Sequence, residues 1–283
     1  MNTVSINDLV KYSSWPKKMF GLESFSKEFS VANVMREYNK EKWGEQLKEI
    51  IKLKMNGGGG YDDLLDLHLQ SFRQKNAILV EDCIVEMNGE EIYQHRAELL
   101  KRALQKYEIE NLVELGAGNG LNMFLLAKIF TKTKGFYAGE YTSNGVTIIK
   151  EVAKNSGIGI NVSKCDLTAE NIYNGELPEN CVFFTCHAIE QCYTLTSRFI
   201  DAMLKLKPSI VIHFEPCCEY FDENSLLGLM QKKYNFINKY NFNLANILND
   251  AQNARKIQII EVEKNVLGNP FNPTSIISWK PLL

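Results

Sequence analysis

The chain has 283 residues, 45% of them hydrophobic, which suits one large domain or one α/β domain with an appendage. Its formal net charge is −2 and its 32 lysines and arginines are scattered, which excludes the basic surface of a nucleic-acid-binding protein and favours a small-molecule or carbohydrate substrate. The seven cysteines lack the paired spacing of zinc or redox sites, and no apolar run has the length of a signal peptide or a membrane span, so we expect a cytoplasmic protein.

The first 108 residues predict helices and loops and no strand. Apolar residues recur at helical spacing over 34–55, and the four glycines at 57–60 end that helix. A second helix is predicted to begin at Tyr61, and a third to run from about 88 to 107. We therefore expect residues 1–108 to form a helical lid region with the glycines as its hinge.

From residue 109 onward, short apolar runs alternate with helical segments, which is typical of βαβ units around a parallel sheet. The pattern predicts a doubly wound α/β core over residues 109–283 with seven strands, at 111–115, 136–140, 158–163, 181–185, 209–214, 256–262 and 275–279. The loop between the last two strands is too short for a crossover helix. These two strands should therefore form an antiparallel hairpin at one edge of a mostly parallel sheet.

The first core strand turns into a helix through the sequence VELGAGNG at 113–120. Glycines there let the backbone bend close to a ligand, and the helix N-terminus offers free N–H donors, so a nucleotide-like ligand should lie across this turn. The G-x-G-x-G spacing and Leu121 depart from a dinucleotide fingerprint, which weakens a nicotinamide cofactor. A glycine-rich turn without a ligand is the alternative. The candidate binding residues here are Glu114, which suits a ligand amino group, and Gly116, Ala117, Gly118, Asn119 and Gly120.

Acidic residues follow the next two predicted strands. Glu140 ends the second strand, about twenty residues past the glycine turn, where a carboxylate can accept hydrogen bonds from both hydroxyls of a ribose. A solvent-exposed glutamate after a strand is the alternative. Asp166 follows the third strand; alone it is more typical of a helix cap, but its place in this order favours ligand binding. The candidates that these two strands add are Glu140, Tyr141, Thr142, Cys165, Asp166 and Leu167.

These motifs, in this order, resemble the core of class I S-adenosylmethionine-dependent methyltransferases over residues 111–215, and the terminal hairpin agrees with that family's seven-stranded sheet. The resemblance implies S-adenosyl-L-methionine as cofactor and S-adenosyl-L-homocysteine as product. It implies that Glu114 and the glycine turn hold the methionine end and that Asp166 takes the adenine amino group. Tyr38 and Trp43 of the lid would cover the sulfonium, unless they only fill the packing between helix and sheet.

The resemblance also implies that the acceptor lies beside the ends of the fourth and fifth strands. His187 follows the fourth strand and is the candidate general base, oriented by Glu190; a contact with the cofactor alone is equally compatible with its position. His213 and Glu215 end the fifth strand and are candidates for contacting the acceptor, or else are satisfied polar residues beneath the site. Tyr61, on the lid, is a third candidate for substrate contact.

The segments HAIEQ at 187–191, HFEP at 213–216 and NPFNPTSIISWKP at 269–281 resemble a bacterial subgroup found among surface-polysaccharide genes. That resemblance implies a sugar hydroxyl, an amine or a phosphoramidate-type substituent on a capsule precursor as acceptor. The chain lacks the Asn/Asp-Pro-Pro-Tyr segment of many nucleic-acid methylases, and its few acidic candidates near the acceptor do not suggest a metal. We therefore expect neither a nucleic-acid partner nor a metal. A nicotinamide-dependent oxidoreductase and a non-catalytic S-adenosylmethionine-binding module remain alternatives, and oxygen and nitrogen acceptors both remain open.

Overall fold

The protein is built on one mixed sheet of nine strands. The structure is a computed structural model that describes residues 2–25, 35–70, 72 and 74–282. Its strands are β1 (Asn76–Val80), β2 (Cys83–Met87), β3 (Asn111–Leu115), β4 (Gly135–Glu140), β5 (Asn161–Lys164), β6 (Cys181–Cys186), β7 (Ile210–Glu215), β8 (Ile257–Asn269) and β9 (Asn272–Pro281). They lie in the order β2-β1-β8-β9-β7-β6-β3-β4-β5. The predicted α/β class is confirmed, but the sheet has two more strands than predicted.

Helices cover both faces of this sheet. In the described ranges they are α1 (Trp15–Met19), a π-helical segment (Met35–Lys42), α2 (Trp43–Met55), α3 (Tyr61–Gln70), α4 (Gly89–Leu104), α5 (Leu121–Ile129), α6 (Ser143–Ser156), α7 (Ser197–Lys205), α8 (Leu226–Asn238) and α9 (Leu244–Asn253). α2 to α6 pack on one face, and α7 and α9 pack on the other. Because strand side chains alternate, Leu112 and Glu114 of β3 point toward α2 to α6, and Val113 points to the opposite face. No described helix is both long enough and apolar enough to cross a membrane.

The strand order reverses between β3 and β6. From β3, the strands β4 and β5 are added toward one edge of the sheet, and β6 and β7 lie on the other side of β3. All five strands are parallel. Crossovers that leave such a reversal in opposite directions open a crevice at the carboxyl ends of the strands, where ligands of doubly wound sheets bind. The register pairs Leu115 with Gly139, so Gly116 and Glu140 come to the same edge of the sheet, beside this crevice.

The C-terminal hairpin is antiparallel, as the sequence predicts, but it does not lie at an edge of the sheet. β9 pairs antiparallel with β7 on one side and with β8 on the other. β8 in turn pairs with β1 through Leu79 opposite Gly268 and Val80 opposite Leu267. The expected edge position is therefore wrong, because β1 and β2 extend the sheet beyond the hairpin.

The hairpin of β1 and β2 lies in the region for which the sequence predicts helices alone. The two strands pair around Glu81, whose backbone is left-handed with a φ of 53°. The predicted second and third helices match α3 and α4, and a reciprocal capping box between Asn88 and Glu91 begins α4. The predicted start of the first helix, at residue 34, lies outside the described residues; from 35 onward the π-helical segment leads directly into α2.

The glycine run at 57–60 forms a turn that hydrogen bonds hold in place. The backbone N–H groups of Gly59 and Gly60 donate to Oδ2 of Asp63 at 2.6 and 3.2 Å, and the carbonyl of Gly59 accepts from Nδ2 of Asn155 at 3.1 Å. A Cβ on Gly59 would lie 2.9 Å from that same nitrogen. The expected hinge is thus a turn that connects α2 to α3 and fastens both to α6.

Candidate functional site

A cavity of about 670 Å³ opens at the crevice between β3 and β6. One side, here called the strand wall, follows the ends of β3 to β6 and consists of Glu114, Gly116, Ala117, Gly118, Asn119, Glu140, Tyr141, Thr142, Cys165, Asp166, Leu167, Cys186, His187, Ala188 and Glu190. The other side, the helix wall, comes from the π-helical segment and α2 to α4 and consists of Tyr38, Lys42, Trp43, Gln46, Leu67, His68 and Arg96. Most of the predicted cofactor residues therefore line one cavity.

The glycine turn keeps the crevice open. Gly116 has a φ of 79°, and a Cβ built on it would lie 2.3 Å from Cβ of Ala188 across the crevice. A side chain at this position would therefore both strain the backbone and collide with the loop after β6. Gly118 faces the helix wall, where a Cβ would lie 3.0 Å from the ring of Trp43. Gly120 does not line the cavity; it packs against α5 and α6.

Glu140 is a buried carboxylate that ties β4 to the glycine turn. Its Oε2 accepts from the backbone N–H of Gly118 at 2.9 Å, and its Oε1 accepts from the N–H and the hydroxyl of Thr142 at 2.7 and 2.5 Å. Burial raises its pKa, and these hydrogen bonds oppose the shift. Thr142 also caps α6 by accepting from the N–H of Gly145. Since a carboxylate offers about four acceptor positions, Glu140 keeps capacity for a ligand in the cavity.

Glu114 and Arg96 each carry a polar atom that is buried without a partner. Oε1 of Glu114 accepts from Nδ2 of Asn122 at 2.6 Å, but Oε2 has no hydrogen-bond partner. Nε of Arg96 also lacks a partner, although its guanidinium contacts the sulfur of Cys186 at 3.5 Å. Burial raises the pKa of Glu114 to about 8. Unpartnered buried polar atoms are costly, so a pair of them with opposite character on one cavity indicates a ligand that satisfies both.

Asp166 lies where β5 ends and points one oxygen back to its own chain. Oδ1 accepts from the N–H and the hydroxyl of Thr168 at 2.9 and 2.7 Å, the cap-like turn that the sequence offered as the alternative. Among the described residues no hydrogen bond to Oδ2 is found, and the residue also lines the cavity. The two readings of Asp166 are therefore compatible. Cys165 and Leu167 on either side are buried, and Tyr141 is exposed at the cavity mouth.

Glu215 holds the loop that follows β6 in place through hydrogen bonds to its backbone. Its carboxylate accepts from the N–H groups of Ala188, Ile189 and Glu190 at 2.9, 3.1 and 3.2 Å. Burial raises its pKa to about 7. The loop begins with His187 at a left-handed φ of 53°, a conformation that a non-glycine residue adopts only when its surroundings hold it there. The three N–H bonds to Glu215 provide that constraint.

Both ring nitrogens of His187 are hydrogen-bonded. Nδ1 lies 3.0 Å from Oε2 of Glu190, and Nε2 lies 2.7 Å from Oγ1 of Thr274. Glu190 also accepts from Nδ2 of Asn272 at 2.7 Å. Burial alone would lower the pKa of His187, but the carboxylate of Glu190 raises it above its ordinary value. No ring nitrogen is left to take a proton from the cavity, so this conformation does not support the expected general base.

His213 and Glu215 do not line the cavity, so the prediction that they contact the acceptor is wrong. Strand alternation turns their side chains, with Val211, away from the face that Glu114 occupies. His213 is fully buried, with Nδ1 3.0 Å from Oγ1 of Thr185 and Nε2 accepting from the indole of Trp279 at 3.0 Å. Burial lowers its pKa to about 3, so it is neutral. Both are satisfied polar residues beneath the site, the alternative that the sequence left open.

The prediction that Tyr61 contacts the substrate is also wrong. Tyr61 is buried at the start of α3, where its N–H donates to Oγ of Ser156 at 2.7 Å and its hydroxyl bonds to that of Tyr93. Its ring packs against Phe124 with centroids 6.2 Å apart. The residue fastens α3 to the helical layer and does not reach the cavity.

Several cavity residues escaped the sequence prediction. Lys42, Gln46 and Arg96 come from helices whose charged residues form no motif, so no signal separates them from solvent-facing neighbours. Asn122 is different: it is the one polar residue in the first turns of the otherwise apolar segment LNMFLLA, and a lone amide there indicates a specific hydrogen bond. Its partner, Glu114, lies eight residues earlier.

No protein-family model matches the chain, and no curated protein matches its sequence. Among solved structures it is similar to geranyl diphosphate C-methyltransferase from Streptomyces coelicolor A3(2) in complex with Mg²⁺, geranyl diphosphate and S-adenosyl-L-homocysteine (9% identity, TM-score 0.48, 68% of this chain and 80% of that one). It is also similar to magnesium protoporphyrin IX methyltransferase from Synechocystis PCC 6803 with bound S-adenosyl-L-homocysteine (13%, 0.48, 68% and 86%) and to the [4+2]-cyclase SpnF (11%, 0.48, 70% and 83%). Similarity at this level assigns neither a reaction nor a substrate to this chain.

Proposed function

We propose that the chain is an S-adenosylmethionine-dependent methyltransferase that acts on a small molecule. The observation that carries the proposal is a pair of buried carboxylates, Glu114 and Glu140, on adjacent strand ends with an open glycine turn between them. A nucleoside with an amino-acid tail matches this arrangement, because its ribose hydroxyls suit Glu140 and its ammonium suits Glu114. A nicotinamide dinucleotide has no ammonium for Glu114.

The unpartnered atoms at the cavity support a zwitterionic ligand. The α-amino group of the cofactor would satisfy Oε2 of Glu114, and its carboxylate would satisfy the guanidinium of Arg96. An ammonium beside Glu114 favours the ionised carboxylate and would lower the pKa that burial holds at about 8. The remaining contacts follow from position: Asp166 and Leu167 for adenine, and the rings of Tyr38 and Trp43 for the sulfonium.

Methyl transfer in this cavity would depend chiefly on positioning. The reaction needs the acceptor atom, the methyl carbon and the sulfur in line, and His187 and Glu190 form the wall beside the crevice where that line would run. With both nitrogens of His187 bonded, we assign it a cofactor-facing role, with Glu190 fixing its ring. Three segments, at 187–191, 213–216 and 269–281, resemble a surface-polysaccharide subgroup, and this resemblance extends the proposal to an oxygen or nitrogen on a sugar or capsule precursor, a phosphoramidate-type group included.

Calorimetry with three ligands tests the cofactor assignment: S-adenosylhomocysteine, 5′-methylthioadenosine, which lacks the amino-acid tail, and NAD. The first two should bind. Glu140→Ala should weaken both by about 2–4 kcal/mol through the lost hydrogen bonds to ribose. Glu114→Gln should weaken S-adenosylhomocysteine alone, because only that ligand carries the ammonium. Glu108→Ala, at an exposed position before β3, is the control and should bind all ligands as the wild type does.

Tight binding of NAD without binding of S-adenosylhomocysteine would overturn the proposal in favour of an oxidoreductase. The absence of a free basic nitrogen on His187 favours a second candidate, a non-catalytic S-adenosylmethionine-binding module. Turnover separates the two. A methyltransferase consumes labelled S-adenosylmethionine with a set of sugar and nucleotide-sugar acceptors, whereas a binding module retains it unchanged with every one of them.

A further inference from the structure

Lys42 is a cation of the helix wall. It ends the π-helical segment and lines the cavity, with its ammonium 4.7 Å from the ring centroid of Trp43 and 5.2 Å from that of Tyr38. Within the described ranges no acidic side chain forms an ion pair with it at 4 Å or less. Desolvation lowers the pKa of Lys42, and the charges of Glu190 and Glu37 oppose that shift. The ammonium therefore lies near the faces of two aromatic rings.

Two acidic groups of the cavity, Glu140 and Glu190, already have several partners of their own, and the proposed function assigns Glu114 to the cofactor ammonium. Glu140 accepts three hydrogen bonds from the glycine turn and Thr142, and Glu190 accepts from His187, Asn272 and Gln191. The proposed cofactor brings a single carboxylate to a cavity that holds two cations, Arg96 and Lys42. Arg96 contacts the sulfur of Cys186, and the charge of Glu114 acts on its guanidinium. Arg96 therefore lies beside the amino-acid end of the proposed cofactor. Lys42 is then the cation that remains.

The electrostatics of the helix wall agree with this count. Burial, together with the positive charges of Arg96 and Lys42, lowers the pKa of His68 to about 4. His68 is therefore neutral, and this end of the cavity carries positive charge that the cofactor's carboxylate offsets only in part. Lys42 is exposed to solvent, and the rings of Tyr38 and Trp43 lie beside its ammonium, so an anion can reach it from the cavity.

We propose that the methyl acceptor carries a carboxylate or phosphate group that pairs with Lys42. The proposal rests on the proposed function, because the cofactor must occupy the strand wall and Arg96 before Lys42 becomes the remaining cation. The acceptor then lies between Lys42 and the sulfonium, with its anionic group at the helix wall. A carboxylate and a phosphate share the same charge-assisted contact with an ammonium, and simple anions distinguish them.

The test is an NMR titration of protein saturated with S-adenosylhomocysteine, with saturation first verified by calorimetry. The chain has three tryptophans, so the indole N–H signal of Trp43, which lies beside Lys42, is assigned with Trp43→Phe. Inorganic phosphate and acetate are titrated separately at constant ionic strength. At least one anion should shift the Trp43 signal saturably, and Lys42→Gln should weaken that binding at least about tenfold. Lys42→Arg, which keeps the charge, should restore it.

Lys40→Gln is the matched control, because it removes an exposed charge from the same π-helical segment outside the cavity and should bind the anion as the wild type does. A response to phosphate alone identifies a phosphorylated acceptor, and a response to acetate alone a carboxylate. The proposal is overturned if neither anion binds saturably or if Lys42→Gln binds as tightly as the wild type. Failure to saturate with S-adenosylhomocysteine is a separate result and contradicts the proposed function instead.

Discussion

The two walls of the cavity are constructed differently. The strand wall comes from β3 to β6, and hydrogen bonds between neighbouring strand ends hold it, such as those from Gly118 and Thr142 to Glu140. The helix wall comes from the π-helical segment and α2 to α4, and among its polar contacts with the strand wall is the bond from Asn119 to Gln46. The strand wall is therefore fixed by sheet register, whereas the helix wall depends on side-chain packing. We therefore expect substitutions in the strand wall to weaken cofactor binding more than substitutions in the helix wall.

The largest effect is expected at Gly116. Gly116→Ala should destabilise the fold by about 2–5 kcal/mol and abolish binding of S-adenosylhomocysteine, because the methyl group adds left-handed strain and overlaps Ala188. Gly157→Ala is the control: its φ of 65° carries the same strain, but nothing lies within 4 Å, so it should cost only about 1–2 kcal/mol. Urea unfolding and calorimetry measure both.

The double variant Gly116→Ala/Ala188→Gly separates the two causes. Removing the methyl group of Ala188 relieves the overlap and leaves the backbone strain, so stability should return to about that of Gly157→Ala. Equal stability of the single and double variants would show that crowding across the crevice does not limit the strand wall.

The next effect concerns Glu114 and pH. Burial holds its pKa at about 8 in the free protein, against 4.5 in the unfolded chain. The folded state therefore keeps a proton that the unfolded state releases, so this group's contribution to stability is complete below pH 4.5 and is lost as pH rises toward 8. Glu114→Gln should reduce the fall in unfolding free energy over this window by up to roughly 1 kcal/mol per pH unit. Urea midpoints at pH 5, 6, 7 and 8 give the slope, with Glu108→Gln as control.

Binding gives a second readout of the same group. If the cofactor ammonium pairs with Glu114, S-adenosylhomocysteine should release a proton at pH 7, and calorimetry in buffers of different ionisation enthalpy detects it. The Glu114→Gln variant should release none. A wild type that binds without proton release would contradict the pairing.

A smaller effect is expected at the loop after β6. Glu190→Gln removes the carboxylate that raises the pKa of His187 and should lower that pKa. NMR titration of the imidazole signal, assigned with His187→Asn, measures the change. Asn is chosen because it tolerates the left-handed backbone at this position better than Ala. An unchanged titration would mean that the pair does not persist in solution.

The smallest effect is expected in the helix wall. Gln46→Ala removes the hydrogen bond from Asn119 at 3.0 Å and should weaken S-adenosylhomocysteine by about 1 kcal/mol or less. Lys48→Ala changes an exposed residue of the same helix and should leave affinity unchanged. A loss as large as that of Glu140→Ala would remove the distinction between the two walls.

The sequence predicts the parallel core and misses the hairpin of β1 and β2, for a physical reason. Each missed strand has only five residues, and their turn, Glu81 and Asp82, lacks the glycine or asparagine that usually marks a tight hairpin. β1 joins the sheet by pairing with β8, roughly 190 residues later in the chain, and β2 joins through β1; no local pattern records such a distant partner. Because the sequence does not predict β1 and β2, the predicted β8 has no further neighbour, and the C-terminal hairpin is predicted at an edge of the sheet.

The candidate site shows the same division between local and distant information. Glu114, the glycine turn and Glu140 are recognisable because strand, turn and acid are adjacent in the chain. His213 and Glu215 misled because the end of a strand fixes the edge at which a residue lies but not the face toward which it points. Arg96 was invisible because only the packing of α4 against the sheet brings it beside Cys186.

The position of β9 has a consequence for how the chain is made. β9 is synthesised after the other eight strands, yet it lies between β7 and β8, and its Trp279 donates to His213 of the parallel half. During synthesis the growing chain must therefore carry β7 with an unpaired edge, and β8 and β1 remain unattached until residues 272–281 emerge. The exposed edge of β7 must therefore be protected during synthesis, either by chaperones or by rapid pairing with β9. In the folded protein this edge is paired.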